Sequence, residues 1–304
     1  RAWEQAGLKP GDVDYVLAGD LLNQCIGSAF SVRNTGLPHL GLYGACSTMA
    51  ESLLLASLAI EAGIADRAAA QTSSHFASSE RQYRFPLGYG GQRTPTAQWT
   101  VTGAGAVMIS GSKHAPVVLT HTTCGRVVDL GITDANNMGA AMTPAACDTL
   151  AAHFRDLGRG FADYDLVVTG DLGHLGRELL IELLREKKID VDEGKLFDCG
   201  CEIFSERQDV HSGGSGCGCA ASMLCAHLLP DIEARFVYGD GRAAQPDKQH
   251  AGRERARHRA CRRDGASKGE GRVIEILWML VKSFFVGGLL CAIGQVLIMK
   301  TQLT

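Results

Sequence analysis

The sequence predicts an α/β protein, a sheet covered by helices, followed by a basic stretch and an apolar tail. Three observations carry this expectation. Over residues 1–234, short apolar runs alternate with longer helical patterns. The chain has 37 glycines against 8 prolines, which suits tight strand–helix turns. Hydrophobic residues make up 45% of its 304 residues, enough for a sizeable core and too many for a disordered chain.

The elements follow in order. "RAWEQAGLKPGDVDYVLAGDLLNQ" reads as a helix at Ala2–Ala6, a turn at Pro10–Gly11 and a strand at Tyr15–Ala18. The chain opens on Arg1 inside this helical pattern, as a fragment lacking its N-terminal part would. Cys25–Thr35 reads as a helix, Leu40–Gly44 as a short buried strand and Thr48–Ala62 as a long helix. Strands are expected at Arg67–Ser73, Gly103–Ser110, Pro116–Thr123 and Leu166–Thr169. Helices are expected at Thr149–Gly158, Leu175–Lys188 and Gly218–Leu229.

The texture breaks near Phe236. Residues Arg235–Arg272 hold 11 Lys/Arg and 5 Asp/Glu with almost no apolar periodicity. A nucleic-acid arm would interleave aromatic residues, and this stretch does not, so it reads as a low-order linker. The net charge of −3 likewise argues against a basic nucleic-acid binder. From residue 273 to 304 the chain is apolar, "VIEILWMLVKSFFVGGLLCAIGQVLIMKTQLT". Leu277–Met299 is long enough for one transmembrane helix, with Trp278 and Lys300 at its ends.

Eleven cysteines, an odd number with no stretch resembling a signal peptide, read as reduced cytoplasmic thiols. The pairs Cys199/Cys201 and Cys217/Cys219 have single-residue spacing, which fits tight turns better than a zinc site. No metal or cofactor is expected. Cys46 is the chemical candidate. It precedes the helix Thr48–Ala62, and a helix N-terminus favours a thiolate. A small buried hydrophobe is the plainer reading of the same residue.

"YGACSTMAESLLLAS" resembles the cysteine elbow of the thiolase superfamily, which includes the ketoacyl synthases. "DYDLVVTGDLGHLGRELL" and "SGCGCAASML" are similar to the two partner motifs of that family. The resemblance implies a thiolase-like αβαβα layered fold, here incomplete at both ends. It places Gly170, followed by Asp171, where a histidine belongs, and Cys217 where Asn or His belongs. His174 lies a few residues further on. The nucleophile position is kept while its acid–base partners are missing, which points to binding rather than turnover.

"GRVVDLGITDANNMGAAMTPAACDTL", "RQYRFPLGYGGQRTPTAQWTVTGAGA" and the Cys46 stretch together resemble the stage V sporulation protein AD family. That resemblance implies a non-catalytic, dipicolinic acid-binding component, handling the acid with calcium during sporulation and germination. It implies membrane partners from the same operon, a homodimer, and a place at the inner membrane of the forespore, the soluble domain on the cytoplasmic side. A flat dianion asks for N–H donors and an Arg; Arg81, Arg84 and Arg93 are candidates, and Cys46, Gly170, Asp171, His174 and Cys217 would line the site. Glu51 and Asp171 would repel it unless calcium came too. The alternative is an acyltransferase using Cys46. The tail resembles the start of stage V sporulation protein AE. Codons for the basic stretch can be chosen so that another frame approaches the family's expected ending, which points to a frame slip near Ala234.

Overall fold

The computed structural model describes residues 2–22, 24–83, 93–112, 115, 117–237, 275–286 and 289–300, with the backbone alone for 81, 234–237 and the last two segments. In chain order the elements begin with α1 (Ala2–Gln5), β1 (Tyr15–Asp20), α2 (Ile26–Val32), β2 (His39–Leu42), α3 (Thr48–Glu61), β3 (Arg67–Ser74) and α4 (Phe76–Tyr83). There follow β4 (Trp99–Thr100), β5 (Gly103–Ser110), β6 (Val118–Val128), α5 (Met138–Leu157), β7 (Leu166–Thr169) and α6 (Gly173–Glu186). The remainder is β8 (Leu196–Asp198), α7 (Cys199–Glu202), β9 (Gly214–Ser215), α8 (Cys217–Met223), α9 (Leu229–Val237), β10 (Glu275–Val286) and β11 (Leu289–Lys300).

Two sheets form the frame. The first has the order β2-β1-β3-β5, parallel except for the β3/β5 pair. The second has the order β6-β11-β10-β7-β8, in which β10/β7 and β7/β8 run parallel. Successive residues of a strand face opposite sides, and the buried clusters show what covers each side. On β1, Val16 and Ala18 pack with Val32 of α2, whereas Leu17 packs with Met49 and Leu53 of α3. On β7, Val167 joins Leu150 of α5 and Leu180 of α6, whereas Val168 joins Met49 of α3 and Ala220 of α8. Hence α3 and α8 lie between the sheets, with α2 outside one and α5 and α6 outside the other. This is a five-layer helix–sheet–helix–sheet–helix stack. A helix buried between two sheets must be apolar all round, and α3 is buried at Met49, Ala50, Leu53, Leu54 and Ala56.

Close packing at this centre needs small residues. A Cβ on Gly218 of α8 would sit 2.6 Å from the Gly103 carbonyl oxygen and 2.3 Å from Ser74 Oγ. Gly139 of α5 and Gly176 of α6 touch backbone to backbone, and Thr143 Oγ1 donates to both of their carbonyl oxygens, at 2.7 and 3.0 Å. That contact explains one departure from expectation. Helix α5 begins at Met138, eleven residues before the expected start at Thr149. Its first half, with Pro144 inside, has too few large apolar residues to announce itself, because it is built to approach α6.

One further expectation is corrected. The apolar tail forms no single helix: β10 and β11 are antiparallel strands, with Val286 opposite Leu289, inserted between β6 and β7. Strands covered on both faces read as continuous apolar runs, so this pattern does not separate them from a membrane helix. No helix among the described residues is long and apolar enough to cross a membrane. The final helix is present over the expected residues and extends beyond them to Val237. It runs as α8, a π-turn at Leu224–Leu228 and then α9. The basic stretch beyond Val237 lies outside the described residues.

Candidate functional site

Cys46 stands in the tight turn Ala45–Ser47 between β2 and α3. Ala45 is forced to φ +49°, a left-handed conformation that costs a non-glycine residue roughly 1–2 kcal/mol. Thr48 holds the turn: its Oγ1 donates to the Ala45 carbonyl at 2.8 Å and accepts from the Gly44 N–H at 3.0 Å. The result is a sharp elbow that presents the Cys46 thiol to the space between the sheets, where the residue is 4% exposed.

Two of the residues that the family resemblance pointed to converge on it. The β7–α6 turn brings Asp171, and the start of α8 brings Cys217. Asp171 is 1% exposed, and its Oδ2 accepts the Gly216 N–H at 2.6 Å. The Cys46 thiol and the Ser215 hydroxyl also face this carboxyl. Its Oδ1 is buried without a hydrogen bond of ordinary geometry. Cys217 is fully buried and its Sγ donates to the Ser73 carbonyl at 3.1 Å. Asp198 fixes the turn behind the cluster, accepting from Thr169 Oγ1 and from the N–H groups of Leu172, Gly173 and Cys201.

Of the two readings of Cys46, the electrostatics favour the buried thiol over the helix-activated thiolate. Burial pushes the Cys46 thiol well up, and the charge and hydrogen bond of Asp171 push it further; the Gly216 N–H opposes them weakly. Burial raises the Asp171 carboxyl from 3.8 to about 6, against hydrogen bonds from Cys46 and Gly216. Burial also lifts the Cys217 thiol to about 12. The sulfur is therefore a neutral thiol beside a carboxyl that ionises late. The N-terminal dipole of α3 is worth too little to overcome burial beside a carboxylate.

A cavity of about 190 Å³ opens onto Cys46. Its walls are Leu21, Ala45, Ser79, Gln82, Tyr83, Thr100, Ala135, Met138 and Ser215. Among these described residues there is no charged side chain and no histidine. Tyr83 donates to the Leu21 carbonyl at 2.7 Å and meets the Tyr43 hydroxyl, which packs Tyr83 in place at the cavity wall.

The other sequence candidates fall elsewhere. Gly170 is buried in the turn just before Asp171. His174 is exposed on α6 and does not line the cavity. Arg84 and the side chain of Arg81 lie outside the described residues. Arg93 is committed: it pairs with Glu80 at 2.7 Å, donates to the Gln98 carbonyl at 2.8 Å and stacks 3.9 Å over the Trp99 ring. It works as a strut rather than as an anion clamp. Cys199 and Cys219 are buried, with thiols pushed well up by burial. Among the described residues no group of His, Cys, Asp or Glu is arranged to hold a metal. Ser79, Tyr83, Thr100 and Ser215 were not singled out from the sequence, although Ser79, Gln82 and Tyr83 have the i, i+3, i+4 spacing of one helix face.

Comparison with known proteins gives both family and fold. The family model described as stage V sporulation protein AD matches residues 1–237. A Bacillus subtilis (strain 168) protein named stage V sporulation protein AD is 45% identical over 231 residues, which is 76% of this chain and 68% of that protein. Among solved structures, the tetronic acid condensing enzyme AbyA1 superposes with a TM-score of 0.56 at 16% identity, covering 98% of this chain and 82% of that one. The 3-oxoacyl-[acyl-carrier-protein] synthase III of Aquifex aeolicus VF5 gives 0.53 at 16%, over 98% and 80%. Cerulenin-bound OleA of Xanthomonas campestris gives 0.54 at 12%, over 97% and 76%. At such identities the likeness is one of fold, which is mixed α/β and thiolase-like.

Proposed function

The chain belongs to the stage V sporulation protein AD family, and within the role in sporulation that this implies we propose that it is a non-catalytic, ligand-binding component whose ligand is dipicolinic acid. It would serve a complex at the inner membrane of the forespore, as a dimer beside membrane proteins of the same operon, during uptake of the acid and its release at germination. One observation supports the non-catalytic part. The elbow cysteine faces a buried carboxyl and a second thiol, with no imidazole among the described residues that line the cavity. Condensation by a thiolase-fold site needs a sulfur that can attack and a donor for the developing oxyanion. A neutral thiol beside Asp171 offers neither: the carboxylate repels the charge that an oxyanion would develop.

The cavity supports binding instead. It is partly enclosed, largely apolar, and edged by the hydroxyls of Ser79, Thr100 and Ser215. A small planar acid matches that character, with the Ser79 hydroxyl as a donor for one of its oxygens. Since no cation stands among the described lining residues, the acid's charge calls for calcium or a proton to enter with it.

Calorimetric titration of the full chain with dipicolinic acid, with and without calcium, tests the reading. Binding that survives Cys46→Ala, with no condensation of acyl-CoA thioesters by the wild type, is the expected result. Turnover that is lost in Cys46→Ala would establish the acyltransferase alternative.

A further inference from the structure

We infer that Ser79 is a ligand-contacting residue of the cavity, its hydroxyl donating a hydrogen bond to a carboxylate oxygen of the bound acid. The inference rests on the ligand reading above and adds to it the group that recognises the acid.

Serine inside a helix normally satisfies its hydroxyl by bonding back to a carbonyl three or four residues earlier. Other helical serines of this chain do so. Ser31 donates to the Ser28 carbonyl at 2.6 Å, Ser52 to Met49 at 2.8 Å, Ser57 to Leu54 at 2.7 Å, and Ser78, on α4 itself, to His75 at 3.1 Å. Ser79 does not. The residue is 1% exposed, and its Oγ is buried with no hydrogen-bond partner among the described residues. It also lines the cavity. A buried hydroxyl without a partner lowers stability, and an apolar side chain of the same size would avoid that cost.

The next residue along the helix keeps Ser79 in this attitude. Glu80, 2% exposed, is held by Arg93 at 2.7 Å and accepts from Thr100 Oγ1 at 3.2 Å. Arg93 is itself stacked on Trp99. This network fixes the rotation of α4, so the Ser79 side cannot turn from the cavity. It also occupies the Thr100 proton, since that hydroxyl donates to Glu80. Cys46 and Ser215 stand against Asp171, whereas the α4 wall does not. The Ser79 proton is thus uncommitted and placed where an anionic group of the ligand can be kept from the buried carboxyl.

The test is calorimetric titration of dipicolinic acid into the full chain as wild type and as Ser79→Ala, paired with thermal unfolding of both without ligand. Loss of a hydrogen bond to a charged group predicts affinity about tenfold to a hundredfold weaker in Ser79→Ala. The Tm without ligand should be unchanged or raised, because an orphaned hydroxyl has been removed. That pair of opposite signs is what a merely structural serine would not show. Equal affinity of the two proteins overturns the inference, as does a Tm several degrees lower, which would reveal a structural partner. Failure of the wild type to bind dipicolinic acid overturns the ligand reading instead. The contact proposed for Ser79 falls with that reading, whereas equal binding by both proteins overturns the contact alone.

Discussion

Replacing Asp171 by Asn tests the electrostatics of the elbow directly. The carboxyl is raised from 3.8 to about 6, chiefly by burial. A shift of roughly two units corresponds to about 3 kcal/mol of disfavour for the ionised form. The sign follows from the direction of the shift. A folded value above the unfolded one means that the folded protein holds the proton more tightly. Asp171 therefore adds its full penalty above about pH 6 and sheds it as pH falls towards 4. Asparagine removes the charge and keeps an acceptor for the Gly216 N–H, which now bonds Oδ2 at 2.6 Å. Urea denaturation should find Asp171→Asn more stable than wild type by up to about 3 kcal/mol at pH 8, with the gap closing towards pH 4. Iodoacetamide should also modify Cys46 faster in the variant, because Asp171 raises that thiol through both its charge and its hydrogen bond. A variant less stable than wild type at pH 8, with Cys46 no more reactive, would show that the carboxylate is balanced by a cation. The argument would then fail.

Three other outcomes follow from the packing. Arg93→Ala removes the cation held 2.7 Å from the buried Glu80 carboxylate, and since Arg93 is 18% exposed the cost should fall at or below the lower end for buried pairs, about 3 kcal/mol, read by urea denaturation. Gly218→Ala drives a methyl against the Gly103 carbonyl at 2.6 Å, so a loss of about 1–3 kcal/mol is expected, visible as a lowered Tm. His153 is fully buried between Thr123 and Tyr164, and burial depresses its value from 6.5 to about 4. Here the unfolded chain takes the proton first, so stability falls by up to about 3 kcal/mol as pH drops from 6.5 to 4. This slope opposes that of Asp171, and Asp171→Asn should therefore show the steeper acid loss.

Legibility from sequence was greatest where spacing alone decides. The glycines and small residues around Cys46, with an apolar run before and a helical run after, announce the elbow and α3. The resemblance to the thiolase superfamily, rather than spacing, brought Asp171 and Cys217 to the same centre. Features that depend on contacts between distant segments stayed hidden. The first half of α5 is made of small residues because Gly139 meets Gly176, a fact of tertiary packing that no single window contains. Sequence left Cys46 open between an activated thiolate and a small buried residue, because the helix dipole is local and visible, whereas the opposing carboxyl comes from a turn 125 residues away. Arg93 looked like a free cation in a glycine-rich loop. Only the fold shows Glu80 and Trp99 waiting for it. The apolar tail was ambiguous in kind, since a run buried on both faces of a sheet has the composition of a membrane helix.

The buried carboxyl beside the thiol limits what the cavity can hold. Asp171 raises the thiol, while the thiol's hydrogen bond eases the ionisation of a carboxyl that burial and the charge of Asp198 behind it hold up. Below about pH 6 the elbow is close to neutral; above it a carboxylate stands one side chain behind the cavity wall. Hydroxyl donors at the α4 wall can orient an anion, but hydroxyls carry no net charge to oppose a buried carboxylate. An acid bound here must therefore be helped by a proton on Asp171 or by a cation that enters with it. For dipicolinic acid without calcium, affinity should weaken as pH rises from 5.5 to 8. With calcium present, or in Asp171→Asn, the dependence should flatten. Titrations of these three systems at both pH values separate the two routes. Affinity that is the same at both pH values without calcium would mean that the anion sits beyond the reach of Asp171, and the elbow would then be no part of the binding site.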